Sequence, residues 1–287
     1  MAITPRDLID IVPASPPQVY LRLCEMLPDP DTTAEDMARV IAVDPALTGR
    51  LLKLVNSSFY GFSVPIETVS RAITVIGTQQ LAHLVLVTEA VHAFSGITTT
   101  LMDMDRFWRH SVYVGVMARI LAQQVRADNA ELYFTAGLLH DIGSLMIYQG
   151  APDLALKALH HSRSSKVPLQ VAEQLVMGFD HAAVGSELMR AWHLPTPLEC
   201  AVEYHHAPDS EYAIREYRAV GIVHLADCLS SISWATRASE TGTGMVVQPY
   251  HGAWAMAGLS MEVPLADIVK SADAQFTEAL GFFDFTR

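Results

Sequence analysis

The sequence predicts an all-α protein. Three observations carry that reading: apolar residues recur at spacings of three and four almost throughout, alternating apolar and polar stretches are scarce, and helix start signals are frequent. From the N-terminus, Thr33-Ala34-Glu35-Asp36 opens one helix. Asp44-Pro45 sets a capping carboxylate before a proline at the first helical position, and Leu47, Leu51, Leu54 and Val55 follow on one face. Asn56-Ser57-Ser58 ends that run, and a longer helix is expected from about Thr78 to Ala93. The stretch Gly96-Ile97-Thr98-Thr99-Thr100 is short, polar and poor in helix formers. It is the expected boundary between an N-terminal helical module, 1–97, and a second helical part, 98–287. In the second part a helix is expected from about Asp105 to Gln124, and another starts near Ala130 and contains Leu138-Leu139-His140-Asp141-Ile142-Gly143. Asp180 opens the next. Thr196-Pro197-Leu198-Glu199 reads as a capping box with a proline in the first turn. Ser239-Glu240-Thr241-Gly242-Thr243-Gly244 reads as a long loop before a smaller helical segment.

Composition narrows the function. Of 287 residues 51% are hydrophobic and only 17% charged, which supplies a large core and argues against disorder. The net charge of −12 disfavours nucleic acid as a partner, because an acidic surface repels a phosphate backbone. The N-terminal module is itself acidic, with six basic against ten acidic residues through Ala93, and only Arg50 and Lys53 share a helical face. Cys24, Cys200 and Cys228 form no CxxC pair and read as apolar core residues of a protein in a reducing, cytoplasmic setting. No secretory signal is visible at the N-terminus, and no run approaches the ~18 apolar residues that a membrane helix needs, so no membrane partner is expected.

Twelve histidines are the unusual count. His110 falls on an apolar stripe with Phe107, Val114, Met117 and Leu121. His140 and Asp141 lie inside an apolar run. His181 shares a stripe with Val184, Leu188 and Trp192, and His205 shares one with Leu198, Ala201 and Val202, with His206 adjacent. Asp227 shares a face with Val220 and Val223. A lone histidine on an apolar face is most often a core residue donating to a carbonyl. Burying several imidazoles and two carboxylates costs several kcal/mol each unless they share partners, so the set demands one. Divalent Fe, Mn, Zn, Co or Ni would satisfy all of them together. Asp141 directly follows His140, so its two oxygens are able to bridge two ions, and paired ions activate water and clamp a phosphate. His224, three before Asp227, is placed as a supporting hydrogen-bond partner. His160-His161, ahead of Ser162-Arg163-Ser164-Ser165, reads as exposed.

His110, His140-Asp141 and Asp227 resemble the H…HD…D signature of the HD superfamily of metal-dependent phosphohydrolases. His181 and the His205-His206 doublet resemble the additional histidines of its HD-GYP subgroup, which hydrolyses cyclic dinucleotides. The whole-chain pattern is closer to the HDOD (HD-related output domain) family. That resemblance rests on Leu27-Pro28-Asp29-Pro30, the run from Ile41 to Ser57 with its Asp44-Pro45, then Phe59-Tyr60-Gly61, Ser70-Arg71-Ala72-Ile73 and Ile76-Gly77, over about residues 12–235. It implies an N-terminal helical module packed on an HD-type helical bundle, and a signalling protein that acts through a protein partner.

The ligand pattern implies two metal ions, held by His110, His140, Asp141, His181, His205, His206 and Asp227, with Asp141 also the catalytic residue. The ligand is then a nucleotide or another phosphoester. Several positions depart from the catalytic subgroup. Ser144 stands where HDIGK has its lysine, no GYP motif follows the doublet, Ser230 replaces a lysine three after Asp227, and Arg106 stands where trinuclear enzymes carry a glutamate. Arg106 and Arg109 are the candidates to supply the missing positive charge, though both also read as surface arginines. The two expectations are therefore a phosphohydrolase with a two-metal site, or a non-catalytic module whose metals are structural or ligand-sensing.

Overall fold

The computed structural model describes residues 3–280 except 13, 58, 95, 96, 98 and 238–247. The expected boundary at 96–100 is therefore only partly described, and the expected loop at 239–244 lies outside the described residues. Among the described residues the chain is helical throughout, with no strand.

The first five helices are short: α1 (Pro5–Ile11), α2 (Gln18–Met26), α3 (Ala34–Ile41), α4 (Pro45–Val55) and α5 (Val69–Ile76). Their ends are fixed by side chains. Thr33 accepts from the Asp36 amide while the Asp36 carboxylate accepts from Thr33, and the Asp44 carboxylate takes the amides of Ala46 and Leu47. Helix α6 (Thr78–Phe94) is apolar on every side and buries Leu81, Leu84, Val85, Leu86 and Val87. It packs on α2, α4 and α5 and also on α8 (Ala130–Leu139), so one core runs from Leu8 to Ala279.

Helix α7 (Met104–Gln124) is the spine of the second part and is packed on by α8, α14 (Tyr217–Arg237) and α16 (Leu265–Leu280). Around it lie α9 (Ile142–Gly150), α10 (Pro152–Ser165), α11 (Leu169–Met177), α12 (His181–Ala191), α13 (Thr196–Tyr204), a 3-10 helix at Glu211–Glu216, and α15 (His251–Ala257). Two close helix crossings set the functional site. A Cβ on Gly137 would lie 2.8 Å from the Val114 carbonyl oxygen, so α7 and α8 meet backbone to backbone. A Cβ on Gly143 would overlap the His181 carbonyl, so α9 and α12 do the same.

Two local expectations are corrected. His140 and Asp141 do not sit inside one helix: α8 ends at Leu139, α9 begins at Ile142, and the pair forms the break between them. Asp141 occupies the N-cap position of α9 yet makes no capping bond, because its carboxylate is turned towards histidines instead. Thr196 is not a cap either. Pro195 holds that position, and the Glu199 carboxylate is taken by Arg190 Nε at 2.6 Å rather than reaching back to an amide.

Candidate metal centre

All seven singled-out histidines and aspartates converge. His110 comes from α7, His140 and Asp141 from the α8–α9 break, His181 from the first turn of α12, His205 and His206 from the end of α13, and Asp227 from α14. They form two groups able to hold a metal ion, Asp141 with His181, His205 and His206, and His110 with His140 and Asp227. Asp141 lies between them. Its Oδ1 is 3.1 Å from His181 Nε2 and 3.6 Å from His205 Nε2, while its Oδ2 is 3.3 Å from His140 Nε2 and 3.7 Å from His110 Nε2. Asp227 Oδ1 closes the second group at 3.3 Å from His110 Nε2.

The proton inventory of the imidazoles shows what they are prepared to bind. His140 Nδ1 donates to the Gly137 carbonyl at 2.7 Å and His205 Nδ1 to the Val202 carbonyl at 2.6 Å. His181 Nδ1 donates to Glu173 Oε2 at 2.6 Å, and the same carboxylate oxygen accepts from the His181 amide. With Nδ1 committed as donor, each ring presents its Nε2 inward, and loss of the Nε2 proton gives the tautomer that a metal-binding histidine takes. Both buried Nε2 atoms, of His140 and His205, are without a hydrogen-bond partner. His181 Nε2 and His206 Nε2 face each other at 2.9 Å. Buried polar atoms rarely go unsatisfied, and a cation between the two groups would satisfy these. The donor set of imidazoles and carboxylates fits first-row divalent ions.

The local electrostatics follow from the same arrangement. Burial by itself raises the pKa of Asp141, but the surrounding rings of His140, His181 and His205 override it and hold the carboxyl well below the usual range. Asp227 is likewise held ionised, against burial, by His110 and His140. Burial opposes charge on His181, but Glu173 and Asp141 raise its pKa well above normal, and Asp141 raises that of buried His140 against burial. Burial and the neighbouring rings of His205 and His181 push His206 well below normal. Ion binding at these nitrogens must displace protons, so it weakens in acid.

Above the cluster is a pocket of about 420 Å3 lined by His110, Asp141, His181, His206 and Asp227 at its polar end. Leu101, Phe107 and Leu169 supply apolar wall, and Arg106, Tyr148 and Arg163 also line it. Sequence reasoning missed Glu173. Its signal was its position four residues after Leu169 and four before Met177, on the inward face of α11. It also missed Tyr148 and Arg163, the latter exposed at the pocket's edge. His224 supports the site through His205: its Nδ1 donates to the His205 carbonyl at 2.7 Å while its Nε2 accepts from the Tyr250 amide at 2.8 Å. Arg109 is paired with Asp105 and does not line the pocket. His160 is exposed and His161 half-buried, and Cys200 and Cys228 are buried while Cys24 is half-buried.

An all-helical protein with a buried histidine–aspartate cluster under a pocket is the class that fold and site define. The chain belongs to the HDOD domain family, whose model matches residues 14–208. Its fold is shared with an HDOD domain protein of unknown function from Geobacter sulfurreducens, at TM-score 0.73 and 23% identity over 98% of this chain and 96% of that one. It is shared equally with a Shewanella amazonensis SB2B chain named "Putative phosphohydrolase", at TM-score 0.72 and 21% identity over 96% of this chain and 97% of that one. A curated relative, an uncharacterized protein of Treponema pallidum (strain Nichols), is 27% identical over 220 residues. That match takes in 76% of this chain but only 42% of the relative's length. No helix among the described residues is long and apolar enough to cross a membrane.

Proposed function

We propose that this HDOD protein is a metal-dependent phosphohydrolase, with one ion at His110, His140 and Asp227, a second at His181, His205 and His206, and Asp141 shared between them. The observation that carries the reading is the division of the Asp141 carboxylate: Oδ1 faces His181 and His205, and Oδ2 faces His140 and His110. A structural metal site is closed by protein ligands, whereas a catalytic one keeps a side open to substrate. Here His110, Asp141 and Asp227 are each partly exposed to the pocket. Bound divalent ions would supply Lewis-acid charge and activate water for attack on phosphorus.

The protein's own groups do the rest. Glu173, Gly137 and Val202 fix the ring orientations of His181, His140 and His205, so the nitrogens are held in place before any ligand arrives. The Gly143 crossing holds His181 against Asp141. Leu101, Phe107 and Leu169 give the reacting end an apolar wall. The Shewanella chain's name is in keeping with this reading.

The test is hydrolysis of p-nitrophenyl phosphate and of nucleotides by protein loaded with Mn, Fe or Zn, with chelator-treated protein and Asp141→Ala as controls. Turnover that disappears with both controls is expected. Full metal occupancy without turnover of any phosphoester would instead favour a binding module whose metals are structural or ligand-sensing.

A further inference from the structure

The pocket holds positive charge that the metal reading does not use. Arg6, Arg22, Arg39, Arg50, Arg109, Arg119 and Arg190 each pair with a carboxylate, as expected in a chain with 31 acidic and 19 basic residues. Arg106 and Arg163 line the pocket and have no carboxylate partner among the described residues. They come from different elements. Arg106 lies on α7, one turn before His110, and Arg163 lies near the end of α10. Tyr148, on α9, is buried at the same pocket, and its hydroxyl has no hydrogen-bond partner among the described residues. Tyr148 shares that lining with Asp141 and Arg163.

Two guanidinium forks and a phenol therefore surround a space beside the candidate metal groups with nothing to bind. A guanidinium is shaped to take two oxygens of a phosphate. The charge balance says which kind of phosphate. Asp103, Asp141, Asp227 and Glu173 together offset two divalent ions, so the two arginines without carboxylate partners leave the positive surplus. Such a site favours a dianion over a monoanion. The remaining wall, with Leu101, Phe107, Leu159 and Leu169, suits a compact apolar or aromatic group.

We propose that the pocket selects a phosphate monoester on a compact, largely apolar group, with Arg106 and Arg163 holding the terminal phosphate oxygens and Tyr148 donating to the same phosphate. This rests on the two-metal reading. It makes the two arginines specificity-determining residues and replaces the lysine absent at Ser144 with charge from α7 and α10.

The test is calorimetric titration of Mn-loaded protein, near pH 8, with phenylphosphonate and with its monomethyl ester. The first is a dianion and the second a monoanion of nearly the same shape. The phenyl group is joined to phosphorus by a P–C bond that is not hydrolysed, and release of methanol from the ester is checked alongside the titration. Wild type is expected to bind the dianion at least about tenfold more tightly than the ester. The double variant Arg106→Met/Arg163→Met is expected to lose at least that factor for the dianion, so the preference collapses, with metal content unchanged. Tyr148→Phe is expected to weaken the dianion several-fold. Metal-replete wild type that binds both probes equally, or a double variant that keeps the preference, would overturn the inference while leaving the metal site standing. Wild type that takes up no metal would overturn the underlying reading and this one with it.

Discussion

Two buried ionisable clusters sit on the same pair of helices and are built to opposite rules. In the first, Arg119 of α7 donates through Nε to Glu131 of α8 at 2.9 Å, and Tyr60 donates to the other Glu131 oxygen at 2.9 Å. Gln275 accepts from Arg119 Nη1, and the guanidinium lies 4.1 Å from the centre of the Phe59 ring. That cluster pins the 59–60 segment and α16 to the α7–α8 pair, and its charged groups are satisfied by protein. In the second, His110 comes from α7 and His140 from the break that ends α8, but the Nε2 of His140 has no hydrogen-bond partner and the Nδ1 side is committed elsewhere. A buried charge network that closes on itself is architecture. One that fixes three of its rings from behind and leaves buried nitrogens unpartnered has room for a ligand.

Breaking the satisfied cluster gives the largest expected loss of stability. Glu131→Ala strands the Arg119 guanidinium and removes the acceptor of Tyr60, and should cost about 3–5 kcal/mol in urea unfolding. Arg119→Met/Glu131→Leu removes both charges and should recover most of that loss. Metal uptake should be unchanged in the double variant. A single variant as stable as wild type would erase the contrast.

His83 shows that an orphan nitrogen is not enough. It is buried on α6 with an unpartnered ring nitrogen, Nδ1, but among the described residues no carboxylate or second imidazole converges on it to form a metal group. Burial pushes its pKa from 6.5 to about 4. The unfolded chain therefore takes up this proton at higher pH than the folded one, so stability falls as pH drops from about 6.5 to about 4 and levels off below. The contribution reaches about 3 kcal/mol at the acid end. In His83→Leu the acid loss should shrink by about that amount. An unchanged pH–stability curve would mean that His83 is not held neutral.

The smallest effect sharpens the site side. Glu173→Gln keeps the shape behind His181 but removes the charge, and should weaken metal affinity about 10–100-fold with little change in stability. Competition with a chromogenic chelator would read it. Unchanged affinity would make Glu173 a packing residue.

Much of this was legible in the chain. The caps at Thr33, Asp44 and Asp180, the apolar α6 and the stripes carrying His110, His181 and Asp227 follow from local spacing, which a sequence displays directly. What was illegible depends on contacts across the fold. The His140–Asp141 break is hidden because apolar residues continue on both sides of it. Thr196 resembles a cap until Arg190, from the preceding helix, claims Glu199. Glu173 looks like one more polar residue on a surface helix until α11 docks beside α12.

The central claim is that Asp141 serves two ions at once. Elemental analysis of protein purified without chelator and then supplied with Mn, Fe or Zn tests it most directly, with wild type and Asp141→Ala compared as folded chains of equal circular dichroism. The account predicts about two ions per wild-type chain and loss of both in the variant, since both proposed ions would share the Asp141 carboxylate. Wild type that takes up no metal, or Asp141→Ala that retains the full complement, would contradict it.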